Sequence, residues 1–149
     1  MIIETDIVTY EGHTKKLATE TVIHRFSHVV SGAEIGERCM IGESCYIAAK
    51  VKIGDKVRIQ NHNDIYDGCE IGNNVFIGPN CTITNHHDPR KLCNDPDYPH
   101  KVIIGDGTTI CAAVTIIAPC KIGKGCMIGA GSLILRDLED GEFVKGTVK

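Results

Sequence analysis

Asp67 and Asn85 stand 18 residues apart, each two places after an isoleucine. A carboxylate and an amide held one above the other can together accept and orient the hydrogens of a single amine. Both lie in polar stretches, QNHNDIYD (60–67) and TNHHDPR (84–90). His86 and His87 follow Asn85 directly, and adjacent side chains of an extended segment point to opposite sides. That alternation predicts His86 facing outward beside Asn85 and His87 facing inward. Imidazole titrates near neutrality, so His86 is the candidate for taking up the proton that an attacking amine must lose. Asn63 falls at an inward position, where an amide is expected to satisfy buried backbone groups.

The 18-residue spacing matters because of the element that surrounds these residues. An aliphatic residue recurs every six positions: Ile23, Val29, Ile35, Ile41, Ile47, Ile53, Ile59, Ile65, Ile71, Ile77 and Ile83. After an interruption the series resumes with Ile104, Ile110, Ile116, Ile122, Ile128 and Ile134. Four places after most of them a small residue follows, as at Ala33, Cys39, Cys45, Val51, Cys69, Cys81, Cys126 and Ser132. A period of six fits neither a helix nor a plain alternating strand. It fits a short strand and a turn forming one side of a triangular prism, with 18 residues to a coil and parallel strands stacked about 4.8 Å apart. Gly and Asn at IG, GNN and GDG are expected to supply the freedom for the turns. The predicted fold is all-β, a left-handed parallel β-helix forming one domain over residues 1–149. Residues 1–16 are its expected N-terminal cap. Residues 89–103 break the period, hold three of the five prolines and must leave the prism as an extended loop.

Composition removes several function classes. The 42% of apolar residues is enough for a continuous core, and aromatic residues make up only 5%. A net charge of −3 gives no reason to expect nucleic acid or an anionic membrane as partner. No apolar run approaches the roughly 20 residues of a membrane span. The first residues lack the basic-then-apolar layout of a signal peptide, so a cytoplasmic protein is expected. Six of the eight cysteines fall at the small inward position, where the thiol serves as a compact hydrophobe rather than half of a disulfide. Met40 and Phe76 are 36 residues apart and so share a side two coils apart, and Met127 joins them if the loop preserves the phase. Such a column is a subunit interface in the making.

Over residues 22–146 the chain resembles the hexapeptide-repeat sugar N-acetyltransferases that acetylate nucleotide-linked 3-amino sugars. The resemblance rests on HRFSHVVSGAEIG, on KVRIQNHNDIYDGCEIGNNVFIGPNCTITNHHDPR, and on IGAGSLI with FVKGT. IQN, the YDG turn and TNxxxPR in that order are its most specific parts. It implies acetyl-coenzyme A as cosubstrate, a dTDP- or UDP-linked amino deoxy sugar as acceptor, and a homotrimer with sites between subunits. It also implies that Asn85 and Asp67 are the functional pair. Arg90, through bidentate phosphate contacts, and Asn61, His62 and His28 are then candidates for the sugar or its diphosphate. Ala112 and Ala130, one coil apart, and Ala118 on a neighbouring edge are candidates for the pantetheine groove. His86 and His87 depart from less basic residues in several members, and the short FVKGTVK ending lacks the extension that often covers the coenzyme. A branch of the fold that hydrates carbon dioxide holds zinc with three histidines in a GHxxxxH pattern. That pattern does not occur here, and no metal is expected.

Two other readings are open from the sequence. An O-acetyltransferase acting on a sugar or serine hydroxyl would share the fold and cosubstrate without needing Asp67 and Asn85. A noncatalytic β-helix subunit of an assembly would bind no coenzyme A, but it would have little reason to break its corners with stacked polar residues.

Overall fold

A computed structural model describes residues 1–5, 7–8, 15–17 and 19–149. All 17 of the periodic aliphatic residues are buried, from Ile23 to Ile134. They lie on short strands that pair in parallel with the strand one coil on, Ile47 with Ile65 and Ile65 with Ile83, for example. The result is the expected parallel β-helix, built from two eight-stranded faces and one five-stranded face.

Each face is characterised by the residue preceding its aliphatic corner. The first carries His28, Tyr46, Asp64, Thr82, Thr115 and Leu133 outward. The second carries Glu34, Lys52, Glu70, Ile103 and Lys121. Its charges pair along the column, Lys52 with Glu34 at 3.6 Å, and Lys101 reaches Glu70 at 2.8 Å. The third carries Val22, Met40, Arg58, Phe76, Thr109, Met127 and Phe143. Met127 therefore does join Met40 and Phe76.

The first described residues depart from the parallel rule. Ile7–Val8 pairs antiparallel with His28–Val29, and Lys15–Lys16 antiparallel with Val22–Ile23. The rest of the expected cap, Asp6 and residues 9–14, lies outside the described residues.

The small inward position does more than fill space. Thr21 donates its hydroxyl to the Gly36 carbonyl at 2.7 Å and accepts from the Cys39 amide at 3.1 Å. Ser27 does the same between Gly42 and Cys45, and Thr108 between Gly123 and Cys126. Cys39, Cys45 and Cys81 direct their thiols to the carbonyls of Gly54, Gln60 and Cys111 at 3.1 Å. The column is thus a ladder of compact donors to turn carbonyls, which explains why Cys, Ser, Thr and Asn all occur in it. Burial pushes the thiols of Cys39, Cys45, Cys81 and Cys120 up, which keeps them protonated as donors. Cys39, Cys45, Cys69, Cys81, Cys111, Cys120 and Cys126 are free thiols.

Asn63 makes the fullest use of the position. Its amide donates to the carbonyls of Gln60 at 2.6 Å and Gly78 at 3.0 Å, and its oxygen accepts from the Cys81 amide at 2.8 Å. Asn63→Ala strands the Cys81 amide and leaves the Gln60 and Gly78 carbonyls to thiol donors alone, and is expected to cost about 2 kcal/mol. Asn63→Cys restores one donor and should recover part of that loss in urea unfolding midpoints.

The turns bear out the expectation at GNN and GDG, where Asn74 and Gly107 take the left-handed conformation, and depart from it at the IG pairs. The left-handed backbone position recurs every six residues and is filled mostly by other residues, including Arg38, Ser44, Lys50, Lys56 and His62. The glycine of the IG pair serves close approach instead. A Cβ on Gly54 would come within 2.9 Å of the Gly72 backbone in the next coil. Beside it runs a ladder of side-chain acceptors: Asp55 Oδ1 accepts from Glu37 N, Asn73 Oδ1 from Asp55 N, and Asp106 Oδ1 from Asn73 N.

The excursion leaves the phase intact. Asn73 finds Asp106 33 residues on, where other rungs of this ladder span 18. Pro89–Asn94 forms a 3-10 helix with Asp88 as its cap, and the chain has rejoined the prism by Val102–Ile104. The final coil is shorter, since Ile128 pairs with Val144 and Ile134 with Val148.

Candidate active site

The 18-residue register holds through the strands that lead into Asp67 and Asn85. Ile65 is paired with Ile83, Tyr66 N donates to the Ile83 carbonyl, and each polar residue follows two places after its isoleucine on the edge between the first and second faces. Both are half-buried. The prism ends its regular course here, because the Asn85 carbonyl accepts from His100 N at 2.9 Å and so turns toward the returning loop. The Asn85 amide donates to the Tyr98 hydroxyl at 3.1 Å. The His100 carbonyl and Pro99 lie 3.5 Å from the place where a Gly68 Cβ would stand, so the loop covers the turn beside Asp67.

The histidines are the reverse of the expectation. His86 is buried and His87 is exposed. Strand alternation fails because the segment is no longer a strand after Ile83. His86 instead tucks under the loop, and both ring nitrogens are engaged. Its Nδ1 accepts from Asp88 N at 2.9 Å, and its Nε2 meets Asp95 Oδ2 at 2.9 Å. An Nδ1 that accepts carries no proton, so this network assigns the hydrogen to Nε2. His86 is therefore a structural donor, with no lone pair open to an amine.

Asp95 is the hub of the cluster. The same Oδ2 also receives His100 Nε2 at 2.8 Å, and Oδ1 accepts from Asp97 N at 2.9 Å. The His100 bond first, then the Asp97 amide, hold this carboxyl down at about 2, so it stays an anion. Both imidazoles consequently face it with N–H. His86, Asp95 and His100 have donor atoms within 4.8 Å of one another, a spacing that a divalent cation can bridge. At His86 the hydrogen-bond pattern speaks against that use, because Nδ1 already accepts from Asp88 N and the proton left on Nε2 takes away the lone pair a metal would need. The ring of His100 is 14% exposed and lines a cavity of about 460 Å³ with His87, Arg90, Lys91, Asn94 and Asp97.

Several other candidates stand in different roles. Arg90 extends into solvent with its fork already closed on Asp88, Nε to Oδ1 at 2.8 Å and Nη2 to Oδ2 at 3.0 Å, so a phosphate would have to displace that carboxylate. Asn61 belongs to the turn scaffold, its Oδ1 accepting from Glu43 N at 3.0 Å. His62 beside it is an exposed turn residue with φ of 58°. His28 lies edge-on to Tyr46 at 5.9 Å in a column that continues to Tyr66 on the first face. Ala118 is buried, and its amide donates to Thr84 Oγ1 at 3.0 Å, which removes it from any groove. Ala112 is half-buried and Ala130 exposed, with Gly131 N bonded to the Ala112 carbonyl. They share the edge of Asn61 and His62, between the third and first faces. One face of the prism thus separates the alanine edge from the Asn85 edge.

Nothing in the sequence singles out Asp95 or Tyr98, or ties His100 to Asp95 and Asn85. The period that registers residues inside coils says nothing about where a residue of the excursion returns.

A family model described as bacterial transferase hexapeptide (six repeats) matches residues 50–85 and 101–136, and one for the hexapeptide repeat of succinyl-transferase matches residues 32–61. The bifunctional protein GlmU of Nitratidesulfovibrio vulgaris is 32% identical over 151 residues, covering 91% of this chain and 30% of that protein. A GDP-perosamine N-acetyltransferase variant from Caulobacter crescentus, crystallised with CoA and GDP-perosamine, superimposes with a TM-score of 0.72 at 22% identity over 85% of this chain and 53% of that one. The acetyltransferase domain of PglB from Neisseria gonorrhoeae, in complex with acetyl coenzyme A, gives 0.71 at 21% identity over 85% and 54%. The chain therefore spans under a third of the GlmU protein and about half of these two solved chains. At these identities the structural likeness carries the fold.

Proposed function

The chain belongs to the bacterial transferase hexapeptide family, and from that premise we propose that it moves the acetyl group of acetyl-coenzyme A to the amine of a nucleotide-linked amino sugar. The dTDP and UDP sugars are the proposed acceptors, and the proposed working form is a cytoplasmic homotrimer. The observation that supports the reading is the pairing of Ile65 with Ile83, two residues before Asp67 and Asn85 respectively, together with an Asn85 Oδ1 free of any protein partner among the described bonds. A carboxyl group with an amide oxygen beside it offers several acceptors, which suits an amine with its several hydrogens better than a hydroxyl with one. The solved relatives named above carry CoA, acetyl-CoA or a nucleotide-linked amino sugar in their complexes.

The division of the site supports the proposed trimer. Small residues that admit pantetheine line the alanine edge, whereas the amine-binding pair lies across the first face. The alanine edge of one subunit set against the Asn85 edge of its neighbour makes a complete site. The third face supplies the apolar surface for such contact, with Phe76, Met127 and Phe143 37%, 47% and 61% exposed. Met127→Asp is expected to shift sedimentation from trimer to monomer and to abolish turnover without unfolding the coil. A wild-type monomer with full activity would remove the trimer from the account. For the compartment, the unpaired inward cysteines fit a reducing environment. No helix among the described residues is long and apolar enough to cross a membrane.

The reaction is tested by offering acetyl-CoA with a panel of nucleotide amino sugars, their hydroxyl counterparts and serine, reading free thiol and product mass. The reading expects transfer to the amines alone. Transfer confined to hydroxyls would replace it with the O-acetyl reading.

A further inference from the structure

The reaction just proposed needs a group to take a proton from the amine, and the buried ring of His86 cannot serve, since Nδ1 and Nε2 are both occupied. His87 is exposed, stacked on His86 at 5.3 Å, with no carboxylate hydrogen-bonded to its ring among the described bonds. His100 differs from both. Its Nε2 is fixed on the Asp95 carboxylate at 2.8 Å, its backbone N is tied to Asn85 at 2.9 Å, and its ring lines the loop cavity. With the hydrogen on Nε2, the lone pair of a neutral ring sits on Nδ1, for which the described bonds give no protein partner. An imidazole oriented by a carboxylate on one nitrogen and open on the other is the arrangement of a general base.

We propose that His100, oriented by Asp95, is the catalytic base of this protein and that the excursion loop, rather than the coil, supplies it. The proposal rests on the amino-sugar reading above. The amine arrives neutral after losing one proton to solvent. Its nitrogen forms the bond to the acetyl carbonyl carbon, and the carbon–sulfur bond breaks. One N–H proton passes to His100 Nδ1 and from there to the departing sulfur, leaving the amide and the free thiol of coenzyme A. Asp95 stabilises the imidazolium that exists between the two transfers, and it is a positioning residue. His86 shares Oδ2 with His100 and so fixes the carboxylate from the other side.

His100→Gln retains an N–H for Asp95 but has no basic nitrogen. We expect kcat to fall about a hundredfold or more, with acetyl-CoA affinity by calorimetry unchanged and the acidic limb of the pH–rate profile gone. His100→Gly should lose as much and regain activity with added imidazole, which a merely structural role would not allow. Asp95→Asn should lower kcat while leaving the acidic limb present but displaced. A wild type active on amino sugars whose His100→Gln variant keeps both its rate and its acidic limb would overturn the proposal alone. A wild type that acetylates no amine would overturn the amino-sugar reading, and the proposal with it.

Discussion

Asn85→Ala lowers kcat/KM for the amino sugar by roughly a hundredfold to a thousandfold, the loss seen when one positioned polar group is taken from a transition state. The fold and the assembly should survive, because the Asn85 side chain is half-buried and has only the Tyr98 hydroxyl as its described side-chain partner. That bond makes a control necessary. Tyr98→Phe removes the hydroxyl while keeping the amide, so a variant with near-normal activity assigns the loss in Asn85→Ala to the amide itself. Equal losses in the two variants would instead make Asn85 a loop anchor. Full activity in Asn85→Ala would remove the residue from the site.

The largest effect on stability is expected at the centre of the coil. Ile77 is fully buried, with Ile59 paired to it on one side and Ile110 on the other. Ile77→Ala opens a cavity between two rungs held at a fixed strand spacing, which cannot close by local collapse. A loss of about 4 kcal/mol is expected, against less than about 1.5 kcal/mol for the volume-conserving Ile77→Leu. Urea unfolding of both variants checks it. Because stability in a solenoid is shared between nearest neighbours, the damage should appear first in hydrogen exchange of the flanking strands at residues 58–59 and 109–110.

What could be read from the sequence divides along the loop. Inside the coils one period sets both the core and its register, so the strands before Asp67 and Asn85 pair and Met127 joins the Met40 column. The role of Asn63 was legible for the same reason, since an amide at an inward position has only turn backbone to serve. Where the chain leaves the prism the rule is lost. His86 and His87 were assigned by strand alternation one turn beyond the last strand residue, and they came out inverted. Arg90 was credited with free donors because a pattern of spacing does not reveal that Asp88, two residues away, closes its fork. The small size of Ala118 suggests a place in the pantetheine groove, yet the residue is buried beside Thr84. The donor ladder of the cysteines was likewise hidden, because it depends on carbonyls of the next coil.

The account depends on winding: a tube of constant pitch brings separate coils, and the loop that returns to them, to one acceptor site. A crystal structure of the protein with coenzyme A and an acetylated nucleotide amino sugar tests this most directly. The product nitrogen should lie within hydrogen-bond reach, about 3 Å, of Asn85, with Asp67 beside it and the coenzyme along Ala112 and Ala130 of the adjoining subunit. A sugar bound on another edge, with Asn85 and Asp67 both facing solvent, would contradict it.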